Sequence, residues 1–172
     1  MKNIGLNELV DKIDNAMQDS IKKHKISDVE VGSFLSSGVD SSYVAACFKG
    51  DKTFTVGFDY EKYNEIDYAK SLSEKIEIDN YSKLISTDEY WDILPTVQYH
   101  MDEPLADPSA VALYFVSRTA AEHVKVSLSG EGADEFFGGY NIYREPFSLR
   151  PLTRLPRPIR KFLGAAAFRN TV

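Results

Sequence analysis

Cysteine, histidine and long apolar runs are scarce in this 172-residue sequence. The single cysteine, Cys47, excludes an internal disulfide and any metal site built from several thiolates, which is usual in reducing compartments. The three histidines, His24, His100 and His123, are isolated and lack the spacing of metal ligands. No apolar run approaches the roughly 18 residues of a membrane span, and the first residues contain no signal-peptide core. We therefore expect a cytoplasmic protein with no membrane partner.

The residues that are present indicate a folded chain with an uneven charge distribution. Apolar residues make up 43% of the sequence, which is enough for a sizeable core. The net charge is −6, yet the segment from Arg144 onward contains seven lysines and arginines against one acid, Glu145. Because this segment lacks the interleaved aromatic side chains that stack on bases, we expect no nucleic-acid partner.

The change of composition also predicts the domain organisation. Residues 1–143 are interpreted as one domain, and residues 144–172 as a basic tail rich in proline and arginine that begins a further part of a larger chain. We expect the tail to be poorly ordered or to dock on a second copy, giving a homo-oligomer, through apolar residues that would otherwise be exposed. These residues are Leu152, Leu155, Ile159, Phe162 and Leu163.

Helical and extended patterns alternate along the first 143 residues. The apolar stripe from Leu9 to Ile21 recurs at three and four residues, which predicts an amphipathic helix whose apolar face lies in the core. Predicted strands are Val29–Leu35, Lys52–Phe58, Tyr81–Ile85 and Val124–Leu128, and predicted helices are Leu6–Ile21, Ser41–Phe48, one capped by Asn64 and reaching Ile76, one capped by Thr87 and reaching Tyr99, and Ser109–Glu122. Cys47 is predicted to be a buried helix residue.

Strands separated by helices of ten or more residues predict right-handed crossovers. The fold class is therefore α/β: a doubly wound parallel sheet with helices on both faces. Ligands of such sheets bind outside the carboxyl ends of the strands, where the chain turns into the next helix.

A loop of small residues, "SSGVDSS", follows the first predicted strand. Its glycine allows close approach of a ligand to the backbone, and Ser41 and Ser42 supply hydroxyl groups. The N–H groups at the start of the next helix face the ligand with the positive end of the helix dipole, which favours an anion such as phosphate. The alternative is an ordinary capped turn in which Asp40 or Ser41 is the N-cap.

A second such loop, "SLSGEGADEFFGGY", follows the last predicted strand and places Glu131, Asp134 and Glu135 among four glycines. Carboxylates beside phosphate oxygens are typical ligands of magnesium. Known nucleotide patterns do not fit: the G-x-G-x-x-G fingerprint fails at Glu135, and neither a Walker sequence nor an H-R-D loop occurs. The two loops are predicted to share one crevice.

The motif "LSSGVDSS" resembles the S-G-G-x-D-S-S pyrophosphate loop of the N-type ATP pyrophosphatases. Together with "TFTVGF", "DEPLADPSA" and "HVKVSLSGEGADEFFGGY", it resembles the synthetase domain of the glutamine-hydrolysing asparagine synthetase family over residues up to about Tyr143. The resemblance implies a truncated ATP pyrophosphatase fold, similar to the adenine nucleotide alpha hydrolases. The sequence departs from the motif at Ser37, where the family pattern has its first glycine.

This resemblance implies a ligase reaction in two steps. Aspartate attacks ATP to form β-aspartyl-AMP and pyrophosphate, and ammonia then displaces AMP to give asparagine. The matching positions are Ser36, Gly38, Asp40, Ser41 and Ser42 for pyrophosphate; Leu35, Val56, Gly57, Ser129 and Gly130 around adenine and ribose; Asp40 and Asp134 for Mg²⁺; and Glu131 for forming the acyl-adenylate. The implied cofactors are ATP and Mg²⁺, and the implied partners are aspartate and ammonia.

The resemblance also implies that two parts of the family's enzymes, the glutaminase half and a catalytic lysine, are missing from these 172 residues. A glutaminase half in this family begins with a cysteine after the initiator methionine, whereas Lys2 stands there, and the family's catalytic lysine is expected beyond Val172. We therefore expect an incomplete fragment that neither hydrolyses glutamine nor makes asparagine alone. Two alternatives are a related enzyme that adenylates another carboxylate and a non-catalytic nucleotide-binding module. Three acids of "DEPLADP", namely Asp102, Glu103 and Asp107, are candidates for an aspartate pocket or for turn and capping roles.

Overall fold

The computed structural model describes residues 4–60, 64–143 and 150–161. They divide into two compact units between Glu131 and Gly132. The first unit contains, in chain order, α1 (Leu6–His24), β1 (Val31–Phe34), α2 (Val39–Phe48), β2 (Lys52–Phe58), α3 (Ile66–Ile76), β3 (Asp79–Ile85), α4 (Thr87–His100), α5 (Ser109–Ala121) and β4 (Val126–Leu128).

The four strands form one parallel sheet in the order β3-β2-β1-β4. Lys52–Phe58 is a strand over the predicted residues, because its alternation of threonine with apolar residues fits a pleated strand. The first and last strands are shorter than predicted, and β3 starts two residues earlier, at Asp79. The predicted parallel α/β sheet is confirmed.

Helices cover both faces of the sheet, as predicted. On one face, Val31 of β1 packs with Ile21 of α1 and Val44 of α2. On the other face, Phe54 of β2 packs with Val116 of α5, while α4 and α5 together cover Ile85 of β3. Since successive side chains of a strand point to opposite faces, a single strand such as β1 contributes to both packing layers.

A buried polar layer lies on the α3 side of β2. Thr53 and Thr55 are each 1% exposed, and Asn80 Nδ2 donates to both of their hydroxyl oxygens at 3.0 Å. Thr53 Oγ1 also lies 3.0 Å from Ser73 Oγ of α3, and Thr55 Oγ1 donates to the Leu35 carbonyl at 2.8 Å. Burial of these hydroxyl groups is tolerated because each has a hydrogen-bond partner, and the bonds tie β3 and α3 to β2.

The prediction that the stripe from Leu9 to Ile21 is core was wrong for its first half. Ile21 is buried, whereas Leu9 is 43% and Val10 is 54% exposed. The helix itself is present and extends to His24. A period of 3.6 residues identifies an amphipathic helix but does not say how much of its apolar face has a partner. Cys47 of α2, predicted to be buried, is half-buried.

Two helix starts differ from the predicted caps. Ser86, and not Thr87, is the N-cap of α4: Ser86 Oγ accepts from Glu89 N at 3.2 Å, and Glu89 Oε2 accepts from Ser86 N at 3.0 Å. Glu65 occupies the N-cap position of α3, one residue beyond the predicted Asn64. Asn64 still supports the start, because its Oδ1 accepts from Ile66 N at 3.1 Å.

The second unit contains α6 (Ala133–Phe137), a 3-10 turn (Asn141–Tyr143) and α7 (Arg150–Thr153), and residues 157–161 are also helical. Leu152 is 39% and Ile159 is 46% exposed. Phe162 and Leu163 of the predicted docking face lie outside the described residues, so docking of the tail stays a prediction. No helix within residues 4–60, 64–143 and 150–161 is long and apolar enough to cross a membrane.

Candidate nucleotide-binding site

The strand order places two loops at the point where the sheet reverses its direction of growth. From β1 the chain passes to β2 and β3 on one side, and β4 then pairs with the opposite side of β1. The loops after β1 and β4 therefore leave the carboxyl ends of two neighbouring parallel strands. This topological switch point is where open α/β sheets form a ligand crevice.

Gly130, after β4, lies against the start of α2. A Cβ at Gly130 would lie 2.8 Å from the backbone nitrogen of Ser41 and 3.0 Å from the carbonyl carbon of Asp40. Both are backbone atoms, so neither can rotate away as the end of a side chain would. Only a glycine permits this approach, and the structure thereby brings the two predicted loops together within the first unit.

Hydrogen bonds within the first loop fix its shape. Ser36 Oγ lies 2.7 Å from Ser41 Oγ, and Ser36 N donates to Ser41 Oγ at 3.1 Å. Gly38 N donates to Ser36 Oγ at 3.1 Å, and Ser42 Oγ donates to the Gly38 carbonyl at 2.7 Å. The serines of the motif thus bind one another and the backbone, so the loop is preorganised by its own side chains.

The α2 helix begins at Val39, two residues before the predicted start. Its N-cap is Gly38, so the alternative in which Asp40 or Ser41 caps the helix was wrong. No side chain caps this helix, and Asp40 lies half-buried in its first turn. Uncapped N–H groups and the positive end of the helix dipole make this terminus suitable for an anion.

Ser37, the residue that departs from the family motif, contacts a residue that sequence reasoning missed. Ser37 Oγ donates to Glu65 Oε1 at 2.9 Å, and Ser37 N donates to Glu65 Oε2 at 3.2 Å. One carboxylate therefore holds both donors of one loop residue. One feature of the sequence could have drawn attention to Glu65. It directly precedes a helix, although glutamate is not among the preferred N-cap residues.

Three of the residues assigned near adenine and ribose, one directly after β1 and two in β2, have packing partners in the structure. Leu35 is 3% exposed and packs with Ala45. A Cβ at Gly57 would lie 2.8 Å from Asn64 Oδ1, so this glycine permits close approach of α3. Val56 is half-buried against the α4 and α5 side. These contacts give the three residues a structural role, and their role in binding a nucleotide stays a prediction.

Ser129 and Glu131 form a short turn beyond β4. Glu131 N donates to Ser129 Oγ at 3.2 Å, and both residues are exposed. This turn holds Gly130 between them, and the Glu131 side chain is accessible to a ligand. Its assigned part in forming an acyl-adenylate stays a prediction.

Asp134 belongs to the second unit, where glycines surround it. It lies half-buried in the first turn of α6, between Gly132 with φ of +91° and Gly138 with φ of +70°. A Cβ at Gly139 would lie 1.8 Å from Asp134 Oδ1, and Gly139 N donates to the Asp134 carbonyl at 3.0 Å. The carboxylate position therefore depends on Gly139 having no side chain.

Asp40 of the first unit and Asp134 of the second each carry a carboxylate, which is the donor chemistry that magnesium prefers, and their binding of a common ion stays a prediction. Mg²⁺ is usually bound by one or two carboxylates together with waters and substrate phosphates. Each of these aspartates is half-buried and presents one carboxylate. In the part of the chain that the structure describes, no three His, Cys, Asp or Glu side chains form a metal-binding group.

The acids of "DEPLADP" are exposed, and Asp107 has a turn role. Asp107 Oδ1 accepts from Ser109 N at 2.9 Å, where α5 begins. This backbone hydrogen bond lowers the pKa of Asp107 below its ordinary value. A contribution of Asp102 or Glu103 to an aspartate pocket stays a prediction.

Comparison with known families connects this site with one group of enzymes. The family model described as asparagine synthase matches residues 12–172. The asparagine synthetase [glutamine-hydrolyzing] 1 of Bacillus subtilis is 51% identical over 160 residues, which cover 91% of this chain and 25% of that protein. A putative asparagine synthetase [glutamine-hydrolyzing] of Mycobacterium tuberculosis is 49% identical, over 90% of this chain and 24% of that protein. The chain thus spans about a quarter of the length of these relatives.

Among solved structures, the chain is similar to the NMN synthetase from Francisella tularensis. The TM-score is 0.50 at 17% sequence identity, over 80% of this chain and 59% of that chain. Similarity at this identity concerns the fold alone. It agrees with the predicted ATP pyrophosphatase architecture.

Proposed function

Since this chain belongs to the asparagine synthase family, we propose that it carries the ATP-binding part of an enzyme that amidates aspartate to asparagine. The observation that supports the proposal most directly is the contact of Gly130 with the backbone of Asp40 and Ser41. It joins the two small-residue loops at the switch point of a parallel sheet, where nucleotides bind in folds of this class.

The first proposed step is attack of the aspartate β-carboxylate on the α-phosphorus of ATP. The bond to the β-phosphate breaks, pyrophosphate leaves, and β-aspartyl-AMP remains. Ammonia then attacks the acyl carbon, AMP leaves with the bonding electrons, and loss of a proton from nitrogen gives asparagine. Displacement at phosphorus depends mainly on positioning and on neutralising charge, so the protein's task is to hold the phosphates.

This chain's residues divide that task. The uncapped N–H groups of α2 and the preorganised serine loop would bind the departing pyrophosphate. A bound Mg²⁺ would neutralise phosphate charge, an effect of several kcal/mol, and Asp40 and Asp134 would hold it. The proposed contacts are Ser36, Gly38, Ser41 and Ser42 for pyrophosphate, Leu35, Val56, Gly57, Ser129 and Gly130 for the adenosine part, and Glu131 beside the reacting carboxylate.

The source of ammonia is proposed to lie in the longer protein. The relatives named glutamine-hydrolyzing are about four times as long as the matched segment, so a glutaminase in such a protein is a reasonable supplier. ATP, aspartate and glutamine are abundant in the cytoplasm, and we propose that compartment. The alternative substrate, another carboxylate, is kept because the fold is shared with an NMN synthetase.

The test uses the full-length parent protein and measures isotope exchange between labelled pyrophosphate and ATP in the presence of Mg²⁺ and a panel of carboxylic acids. Label entering ATP only with aspartate supports the proposal, because exchange requires reversible adenylate formation. Exchange with another acid contradicts the aspartate assignment. Binding of ATP without any exchange favours a nucleotide-binding module.

The variant that tests the metal role of Asp40 is Asp40→Asn, which removes the negative charge but keeps the shape of the side chain. We expect it to weaken magnesium-dependent ATP binding by about 1 kcal/mol or more, because a charge-assisted contact is lost. Calorimetry with and without Mg²⁺ separates this effect from a general loss of binding. Equal affinity in the variant would contradict the metal role of Asp40.

A further inference from the structure

We propose that Glu65 is an internal competitor for the pyrophosphate loop, whose carboxylate binds the donors of Ser37 and so limits how tightly the loop holds pyrophosphate. This inference rests on the proposed function and concerns the control of the same site. It assigns Glu65 a positioning role through Ser37 and no part in the chemistry.

The contact has the geometry of anion binding. The two oxygens of one carboxylate accept from the hydroxyl of Ser37 at 2.9 Å and from its backbone N–H at 3.2 Å. Phosphate oxygens accept from the same kinds of donor. An N–H group has a single proton to donate, so the Ser37 amide serves Glu65 or a phosphate oxygen.

The position of Ser37 makes that competition relevant. It lies between Ser36 and Gly38, directly before the uncapped start of α2, and it is exposed. The negative charge of the Glu65 carboxylate, which lies beside the Ser37 donors, also repels a polyphosphate by Coulomb's law. Pyrophosphate that uses these donors must therefore displace Glu65.

Hydrogen bonds within the loop also hold its shape, besides those to Glu65. Ser36 and Ser41 bind each other, and Gly38 N donates to Ser36 Oγ, all within the loop. Glu65 comes from another element, the start of α3, where Ile66 is 8% exposed and fixes the helix against the core. Glu65 therefore places a negative charge beside the loop and occupies the two hydrogen-bond donors of Ser37.

The position 37 substitution fits this interpretation. A glycine there would offer only its N–H to Glu65, whereas Ser37 offers two donors to the same carboxylate. The serine thus adds a second hydrogen bond between the loop and Glu65. Because Glu65 then competes more strongly with pyrophosphate, we expect pyrophosphate to leave the site more easily after each turnover.

The test is titration calorimetry of the 172-residue chain with inorganic pyrophosphate at constant excess Mg²⁺. We expect Glu65→Ala to bind about tenfold tighter and Glu65→Gln about fivefold tighter than the original chain, in line with the loss of a charged competitor. The control is Asp67→Asn, which removes one exposed negative charge from the first turn of the same helix. It should stay within about twofold, since its effect is screened by solvent.

The outcomes separate this inference from the proposed function. Equal or weaker binding by both Glu65 variants would show that Glu65 supports the loop, and would overturn the inference while the site stands. Absence of pyrophosphate and ATP binding in the original chain and in all variants would overturn both. If circular dichroism shows that Glu65→Ala is unfolded, the near-isosteric Glu65→Gln decides the matter.

Discussion

The junctions β1–α2 and β3–α4 have the same topology but use their helix N-termini differently. At β3–α4, Ser86 and Glu89 form a complete capping box, and Lys83 Nζ lies 2.6 Å from Glu89 Oε1. At β1–α2, Gly38 is the N-cap and no side chain caps the helix. The chain supplies a side-chain cap to the helix at one junction and none at the other.

The positions of the strands explain the difference. Strand β3 is at the edge of the sheet, whereas β1 lies between β2 and β4, where the direction of strand addition reverses. At the β1–α2 junction, a second loop contacts the helix start at Gly130. A capping box stabilises a helix, while an uncapped helix start at the switch point is suited to binding an anion.

The change with the largest expected effect is Gly130→Ala, which disrupts the β1–α2 junction. The new Cβ would be 2.8 Å from Ser41 N, so the two loops must separate. We expect MgATP affinity to fall by about tenfold or more, and the free energy of unfolding to fall by about 1–3 kcal/mol, the usual cost of overpacking. Calorimetry and urea denaturation measure the two effects. Gly5→Ala is the control for MgATP affinity, because no atom lies within 4 Å of its added Cβ.

Ser86→Ala affects the other junction alone. Loss of the N-cap hydrogen bond to Glu89 should lower the free energy of unfolding by about 1 kcal/mol, with MgATP affinity unchanged. Thr87→Ala, next to it on the exposed surface, should change stability by about 0.5 kcal/mol or less. If Thr87→Ala proves more destabilising than Ser86→Ala in urea denaturation, the assignment of Ser86 as the cap is wrong.

The smallest expected effect is on how the free energy of unfolding depends on pH through Glu89 at the β3–α4 junction. The hydrogen bond from Lys83, followed by that from the Ser86 backbone, lowers the pKa of Glu89 below its ordinary value of 4.5. A lowered folded-state pKa stabilises the fold above the unfolded-state value, and this stabilisation is lost as the pH falls through the folded-state value.

Glu89→Gln should therefore flatten the acid side of the stability curve below about pH 4.5. The change is small because Lys83 is 39% and Glu89 is 41% exposed, and solvent screens the pair. Thermal unfolding from pH 3 to pH 7 measures it, and Asp88→Asn is the neighbouring control. An acid limb as steep as that of the original chain would contradict the assigned pKa direction.

Local patterns predicted most of the elements. The alternation in "KTFTVGF" gave β2 its limits, and the spacing from Leu6 onward gave α1 its start. The burial of Leu9 and Val10 was predicted wrongly, because burial depends on a partner surface that the periodicity of one helix does not describe. Both small-residue loops were recognised, since glycine and serine have distinctive roles after parallel strands.

The sequence by itself determined the α/β alternation, the two loops and their family resemblance, because these depend on residues close together in the chain. The tertiary structure decided which groups meet at the site. The contact of Gly130 with Ser41 spans about half the chain, and Glu65 reaches Ser37 across 28 residues. Such contacts arise only when the strand order β3-β2-β1-β4 and the packing of α3 bring distant segments together, and no local pattern encodes that distance.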